Sequence, residues 1–421
     1  VTDSRSGQRV VIVGAGMAGV QTAVQLREQG WPGAIRLIGG EPHQPYDRPP
    51  LSKAVLLGRT DDAYADVSFD IDFGGLDVDL ELGRQVTGLR TAERLLETEA
   101  GAVAYDHLVI ATGAEAVTLP GSADLPGVHL LRTLDDAARL RPVLAARGAV
   151  VVVGAGWIGA EFTTAAREAG CAVTVVEAAD GPLPGALPAQ VTSYMRDWYE
   201  HSGAELRTGV AVRSIERGGV LLADGTHVPA DAVVVGIGSR PATGWLESSG
   251  VELAGDGSVR ADEALRTSAP HVYAVGDCAS FPSARYGERL LVHHWDNALQ
   301  GPRVVAVNIA AEGLADGEAE SAVYDPVPYF WSEQFGRFVQ YAGHRGEEDE
   351  LIRRGDPREP AWSVCWMRDG LLTALLAVGR PRDLAQGRKL IERRAPVDRK
   401  AVADAAVPLK KAALQMNAAD R

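Results

Sequence analysis

The sequence has little cysteine, and what it has is scattered. Cys171, Cys278 and Cys365 form no CxxC or CxxxxC pair, which argues against a disulfide framework, a thiolate zinc site or a redox-active dithiol. Three buried small hydrophobes is the plain reading. No apolar run approaches the ~18 residues that cross a bilayer. Thr2 to Gln8 lead straight into Arg9-Val10-Val11-Ile12-Val13, without the length or cleavage pattern of a signal peptide, so a cytoplasmic location is the expectation. Positive charge is also short. A net charge of −14 over 421 residues disfavours nucleic acid and anionic membranes as partners. The exception is the stretch from Arg380 to Arg421, with 11 Lys/Arg against 5 Asp/Glu. It reads either as a solvated helical surface or as a patch that steers an acidic partner.

What is present describes an ordinary globular chain of about two or three domains, 46% hydrophobic and 23% charged. Two segments share one layout. The first runs Val10-Val11-Ile12-Val13, then Gly14-Ala15-Gly16-Met17-Ala18-Gly19, a helix to about Gly30, then Ile35-Arg36-Leu37-Ile38 and Glu41. The second runs Val150-Val151-Val152-Val153, then Gly154-Ala155-Gly156-Trp157-Ile158-Gly159, a helix to about Gly170, then Val173-Thr174-Val175-Val176-Glu177. Short continuous apolar strands alternating with helices imply a parallel sheet covered on both faces. Further buried strands end in Ala111-Thr112-Gly113, in Gly236-Ile237-Gly238 and in Gly276-Asp277. After Asp325 the character changes. Arg337–Tyr341 and Leu371–Leu376 read as antiparallel strands and a basic helical tail follows from about Asp383, which suggests a separate α+β domain.

Each GxGxxG follows a strand, opens a helix and has a carboxylate about 20 residues on, the context that makes the motif a dinucleotide fingerprint. The glycines allow the tight turn, the approach of a pyrophosphate to the backbone, and close helix–strand packing. The helix N-terminus offers unpaired N–H groups to the phosphates. Glu41 and Glu177 are then placed to accept from a ribose. A carboxylate at Glu177 repels a 2′-phosphate, and Ala178 to Gln190 contains no Arg or Lys to hold one, so NADH is expected over NADPH.

Two fingerprints joined by Ala111-Thr112-Gly113 and closed by Gly276-Asp277 resemble the two-dinucleotide flavoprotein disulfide-reductase fold. The segment Tyr46-Asp47-Arg48-Pro49-Pro50-Leu51-Ser52-Lys53 narrows the resemblance to the putidaredoxin reductase-like ferredoxin reductases that serve cytochrome P450s and Rieske-type dioxygenases. Leu131-Arg132-Thr133, Trp295 with Asn297-Ala298, Tyr329-Phe330-Trp331-Ser332-Glu333-Gln334 and Ala395-Pro396-Val397-Asp398 match as well, and the likeness spans Gln8 to Lys411. It implies an α/β protein with two Rossmann-like domains and a C-terminal α+β domain. FAD would be held by residues 7–115 and 248–324, NAD by 116–247, with the C-terminal domain over 325–415. It further implies Gly14, Ala15, Gly16, Gly19 and Glu41 on the ADP half of FAD. Arg48, Lys53, Val86, Ala111, Thr112, Gly113, Arg132, Gly276, Asp277 and Trp295 would line the rest. Gly154, Gly156, Ile158, Gly159, Glu161, Glu177 and Gly238 would hold NADH.

In such enzymes the flavin and nicotinamide carry the chemistry and the protein orients them. The resemblance puts Lys53 beside the flavin and Glu161 toward the nicotinamide, with Trp295 and Trp331 flanking the rings. Disulfide reductases of this fold carry cysteines where this chain has Ser52-Lys53, so thiol–disulfide exchange is not expected. The implied function is transfer of electrons from NADH through FAD to a [2Fe–2S] ferredoxin that feeds a P450 or Rieske-type oxygenase. Arg380, Arg382, Arg388 and Lys389 would help to steer the ferredoxin. The alternatives are an NADH oxidase or quinone reductase, or an NADH-responsive redox protein similar to apoptosis-inducing factor. One departure stands out: family members commonly carry an acid two positions before the tryptophan matching Trp295, where this chain has His293, followed by His294.

Overall fold

The β-branched runs form strands and the glycine-opened stretches form helices in the computed structural model, which describes residues 4–58, 67–122, 125–312 and 321–414. The chain divides into two compact units. One comprises Val1–Asp47, Val67–Glu115 and Arg240–Pro328; the other Arg48–Asp66, Ala116–Ser239 and Tyr329–Arg421.

The first unit is built on a five-stranded parallel sheet. Its order is Val272–Ala274, His107–Ile110, Arg9–Val13, Ala34–Ile38, Val78–Glu81. Val10, Val11 and Ile12 are fully buried, because a parallel sheet is covered on both faces. Helix Met17–Glu28 buries Ala18, Val20, Ala23 and Leu26, and with helix Trp295–Ala311 contributes to one apolar core.

The second unit repeats the arrangement in the order Val128–His129, Ala232–Val235, Ala149–Val153, Ala172–Glu177, Glu205–Thr208, again all parallel. After strand Val78–Glu81 in one unit and Glu205–Thr208 in the other, the chain makes a three-stranded antiparallel flap: Val86–Arg90, Leu95–Thr98, Gly101–Ala104 in the first, Val212–Glu216, Gly219–Leu222, His227–Pro229 in the second. The edge strand that completes each sheet follows the flap in the first unit and precedes the glycine loop in the second.

The second unit also carries an antiparallel sheet in the order Tyr329–Gln334, Arg337–Gly343, Leu371–Val378, Trp362–Arg368, Glu350–Arg354. Helix Pro381–Glu392 follows it. At this end Arg354 is fully buried. Its Nε lies 3.3 Å from Asp383 Oδ2, and its guanidinium donates to the carbonyls of Ala401, Val402, Asp404 and Val407. Ser363 Oγ donates to the same Asp383 at 2.9 Å. A buried charge persists only when paired and hydrogen-bonded in this way. Among the described residues no helix is long and apolar enough to cross a membrane.

Candidate functional site

In the first unit the glycine loop is set by close approach. Gly14 adopts φ 109°, and a Cβ there would run into the Ala111 carbonyl; a Cβ on Gly19 would run into the Gly14 carbonyl. Strand, loop and helix therefore pack closer than any side chain permits. Helix Met17–Glu28 starts at Gly16 with no side chain capping it, which leaves first-turn N–H groups available to an anion. Ala15 shares that loop.

The same unit carries other residues singled out by the sequence. Glu41 receives the Tyr46 hydroxyl at 2.6 Å. Trp295 Nε1 donates to Asp47 Oδ1 at 2.8 Å, so the Tyr46-Asp47 pair orders both. Thr112 Oγ1 donates to Ala242 O at 2.8 Å, and the Ala242 N–H returns to Gly113 O at 2.9 Å. Gly276 and Asp277 form the turn past Val272–Ala274, at the strand ends where α/β sheets bind ligands. Val86 opens the first flap. His294 precedes helix Trp295–Ala311. Burial lowers its pKa to about 4, with the Asp277 carboxylate opposing and His293 adding to the shift.

The second unit repeats the loop with Gly154 at φ 100° against the Gly236 carbonyl, and Gly159 against that of Gly154. Helix Trp157–Ala169 likewise begins at Gly156 without a side-chain cap. Ile158 and Ile237 are exposed apolar side chains beside this loop, and Gly238 follows at φ 117°. Glu177 is buried. Its Oε2 accepts from the Ala155 N–H at 2.8 Å and its Oε1 from the Ala179 N–H at 2.9 Å. It thus fastens the glycine loop, and each oxygen keeps a further lone pair for a hydroxyl donor. Arg196, just beyond the stretch Ala178 to Gln190, sends its guanidinium to Asp180 O at 2.6 Å and Thr208 Oγ1 at 3.0 Å.

A polar cluster centres on Glu161, which is only 6% exposed. Lys53 Nζ lies 3.0 Å from Glu161 Oε2, Ser52 Oγ donates to the same oxygen, and Ser332 Oγ donates to Oε1 at 2.7 Å. Gln334 Nε2 reaches Ser332 Oγ at 3.2 Å. Geometry explains the match. Trp157, Glu161 and Thr164 occupy one helix face, about 6 Å or less apart along the axis. Alternate residues of strand Tyr329–Gln334 are about 6.7 Å apart. Phe330 packs on Trp157 with ring centroids 4.6 Å apart, Ser332 meets Glu161, and the Phe335 N–H reaches Thr164 Oγ1 at 2.9 Å. Ser332 and Gln334 were not singled out individually in the sequence. The alternation in Phe330, Ser332, Gln334 is the signal that points to them.

Trp331 stacks on Tyr329 with centroids 6.0 Å apart. Arg132 donates its backbone N–H to Asp136 Oδ2 at 3.0 Å, part of the Thr133–Asp136 capping box of helix Leu134–Ala146. Arg48 opens the turn Pro49–Ser52. Of the basic tail, Arg380 pairs with Asp383 at 2.9 Å, and Arg388 pairs with Glu392 at 3.2 Å while lying over the Tyr329 ring. Arg382 and Lys389 are exposed; Arg421 lies outside the described residues. All three cysteines are free and buried. Burial raises each thiol above its usual range, that of Cys365 to about 12.

Residues 8–301 match the pyridine nucleotide-disulphide oxidoreductase family model and residues 329–413 the reductase C-terminal model. The chain is 35% identical to rhodocoxin reductase of Rhodococcus erythropolis, over 95% of this chain and 93% of that one. It is 38% identical to the chlorobenzene dioxygenase ferredoxin reductase component of a Cupriavidus species, over 94% and 95%. The reductase in the covalent putidaredoxin reductase–putidaredoxin complex superposes with a TM-score of 0.90 at 31% identity, covering 96% and 98% of the two chains. The chain belongs to the putidaredoxin and rhodocoxin reductase-like family of FAD-dependent pyridine nucleotide-disulphide oxidoreductases, the ferredoxin reductases of P450 and dioxygenase systems.

Proposed function

We propose that this chain is an FAD-containing ferredoxin reductase that oxidises NADH and delivers electrons singly to a [2Fe–2S] ferredoxin of a P450 or Rieske-type system. The observation that carries the reading is the Lys53–Glu161 pair, 3.0 Å apart, with Ser52-Lys53 at the position where disulfide reductases of this fold hold cysteines. Every thiol of the chain is buried with a raised pKa, so no thiolate stands ready to carry the electrons onward.

The first glycine loop fits FAD: it is too tight for side chains and meets an uncapped helix start. We assign residues 7–115 and 248–324 to FAD, 116–247 to NADH and 325–415 to the C-terminal domain. Gly14, Ala15, Gly16, Gly19 and Glu41 hold the ADP half; Arg48, Lys53, Val86, Ala111, Thr112, Gly113, Arg132, Gly276, Asp277 and Trp295 line the remainder. FAD held by these residues would supply hydride acceptance and one-electron release. Gly154, Gly156, Ile158, Gly159, Glu177 and Gly238 receive NADH, with Ile158 and Ile237 offering apolar surface. Lys53 supplies a cation at the reacting end, Glu161 fixes its ammonium, and Trp331 is assigned to flank the nicotinamide.

One relative named above is the ferredoxin reductase component of a chlorobenzene dioxygenase, and another was captured in a covalent complex with putidaredoxin. On this chain the exposed Arg382 and Lys389 suit an acidic ferredoxin. NADH turnover measured with a [2Fe–2S] ferredoxin, with oxygen and with a quinone tests the reading. Preference for the ferredoxin supports it. Faster turnover with oxygen or quinone makes the chain an oxidase or quinone reductase.

A further inference from the structure

The parallel pairing of Val272 with Leu108 sets the residues before them, His271 and His107, side by side at the N-terminal ends of two strands. The Leu108 N–H donates to His271 O at 2.9 Å, and the imidazole centroids are 5.4 Å apart at 83°. Glu312, directly after helix Trp295–Ala311, turns its carboxylate to both rings. Oε2 lies 3.0 Å from His271 Nδ1 and 3.4 Å from His107 Nδ1, and the three ligand atoms all lie within 4.8 Å of one another. His107 is 3% exposed and its Nδ1 has no hydrogen-bond partner. The other carboxylate oxygen accepts from the Tyr273 hydroxyl.

We propose that His107, His271 and Glu312 form a binding site for one divalent transition metal ion of the zinc type, with water as fourth ligand. The donor set is two imidazoles and a carboxylate, which suits zinc and not the oxygen-only shells of calcium or magnesium. The spacing fits as well. Bonds of ~2.0–2.2 Å in a tetrahedron put ligand atoms ~3.3–3.6 Å apart, and the two measured separations lie at or just below that range. A hydrogen bond from His271 accounts for one contact with Oε2 but leaves the orphaned Nδ1 of His107 facing it. Tyr273 holds the carboxylate in the manner of an outer-shell partner.

The ion would tie the C-terminal end of helix Trp295–Ala311 to the strand starts, opposite the strand ends that carry Gly113 and Asp277. Its signature is therefore binding and stability, separate from ferredoxin reduction.

The test is calorimetric titration of the tag-free, flavin-loaded, chelator-dialysed full chain with ZnCl2, paired with Co2+ absorption spectra. The expected result is one saturable equivalent, visible d–d bands for Co2+, and a Tm that rises with metal. His271→Asn, chosen because asparagine accepts the φ of 61° found there, and Glu312→Gln should each weaken binding more than ~100-fold. Tyr273→Phe should weaken it by the ~10–100-fold typical of an outer-shell loss. The exposed-residue control His201→Ala should bind like the parent. Absence of a one-equivalent site in the parent chain overturns the proposal. So does unchanged affinity in both His271→Asn and Glu312→Gln, or loss of the site in His201→Ala.

Discussion

Lys53 Nζ sits 3.0 Å from Glu161 Oε2, and that carboxylate is buried while the lysine is 23% exposed. The acid also accepts from Ser52 and Ser332, so it is held from two sides and in turn holds the ammonium. Glu161→Gln keeps the shape and removes the charge. We expect kcat/KM for NADH to fall at least tenfold, about 1.4 kcal/mol of lost transition-state stabilisation, with flavin content intact. Stopped-flow flavin reduction by NADH checks this; a parent-like rate removes the pair from the chemistry.

Gly19→Ala places a Cβ against the Gly14 carbonyl, and the helix must move away from the loop. The expected outcome is a folded or partly folded protein purified with much less FAD, read from its visible absorption. The matching change Gly159→Ala should leave the flavin in place and raise KM for NADH. A yellow Gly19→Ala protein would mean that the first loop is not the flavin cradle.

Glu177 fastens the loop beside the coenzyme proposed to bind there, because its two oxygens take the N–H groups of Ala155 and Ala179. Glu177→Ala should weaken NADH binding by the ~1–3 kcal/mol typical of hydrogen bonds to a charge and also lower Tm, whereas Glu177→Gln should mainly narrow the preference for NADH over NADPH. The ratio of kcat/KM for the two coenzymes is the readout. An unaltered ratio in Glu177→Gln would transfer the discrimination elsewhere, with Arg196 the next group to examine.

His294 gives a pH dependence with a definite sign. Its pKa in the fold is about 4, against ~6.5 in the unfolded chain. Above pH ~6.5 it is neutral in both states and its contribution is complete. As pH falls toward 4 the unfolded chain binds a proton that the fold resists, and stability drops by about 2 kcal/mol at pH 5. His294→Asn, which puts a good helix N-cap residue at the start of helix Trp295–Ala311, should lose less between pH 7 and pH 5. Parallel denaturation curves for the two proteins over that range would contradict the assignment.

Much of this was legible in the sequence because it is local. The alternation of apolar strand, glycine turn and helix is written within about 30 residues, and both parallel sheets and their glycine loops follow from it. That Arg337–Tyr341 and Leu371–Leu376 form antiparallel strands could be anticipated for the same reason, but not that the two pair with each other. The short edge strand Val128–His129 was not, since two residues carry no period. Ser332 and Gln334 depend on how a strand lies along a helix face, and Arg196 on a fold-back from beyond Gln190. His107, His271 and Glu312 are far apart in the chain and meet only through strand register. Arg380 and Arg388 looked like surface charge but are engaged within their own unit.

Arg354 is the strongest commitment in the C-terminal sheet, since its buried guanidinium satisfies Asp383 and four carbonyls. Arg354→Leu takes this donor from the four carbonyls and leaves Asp383 only Ser363 and Arg380, and should destabilise by about 3–5 kcal/mol, seen as an early thermal transition. Near-parent stability would show that the network is relieved by repacking.

The central claim is that electrons enter as a hydride pair and leave singly. An anaerobic titration of the flavin-loaded protein and excess [2Fe–2S] ferredoxin with NADH tests it most directly. The account predicts about two ferredoxins reduced for each NADH consumed, as a two-electron donor feeding a one-electron acceptor requires. Flavin that bleaches on NADH while the ferredoxin stays oxidised would contradict it.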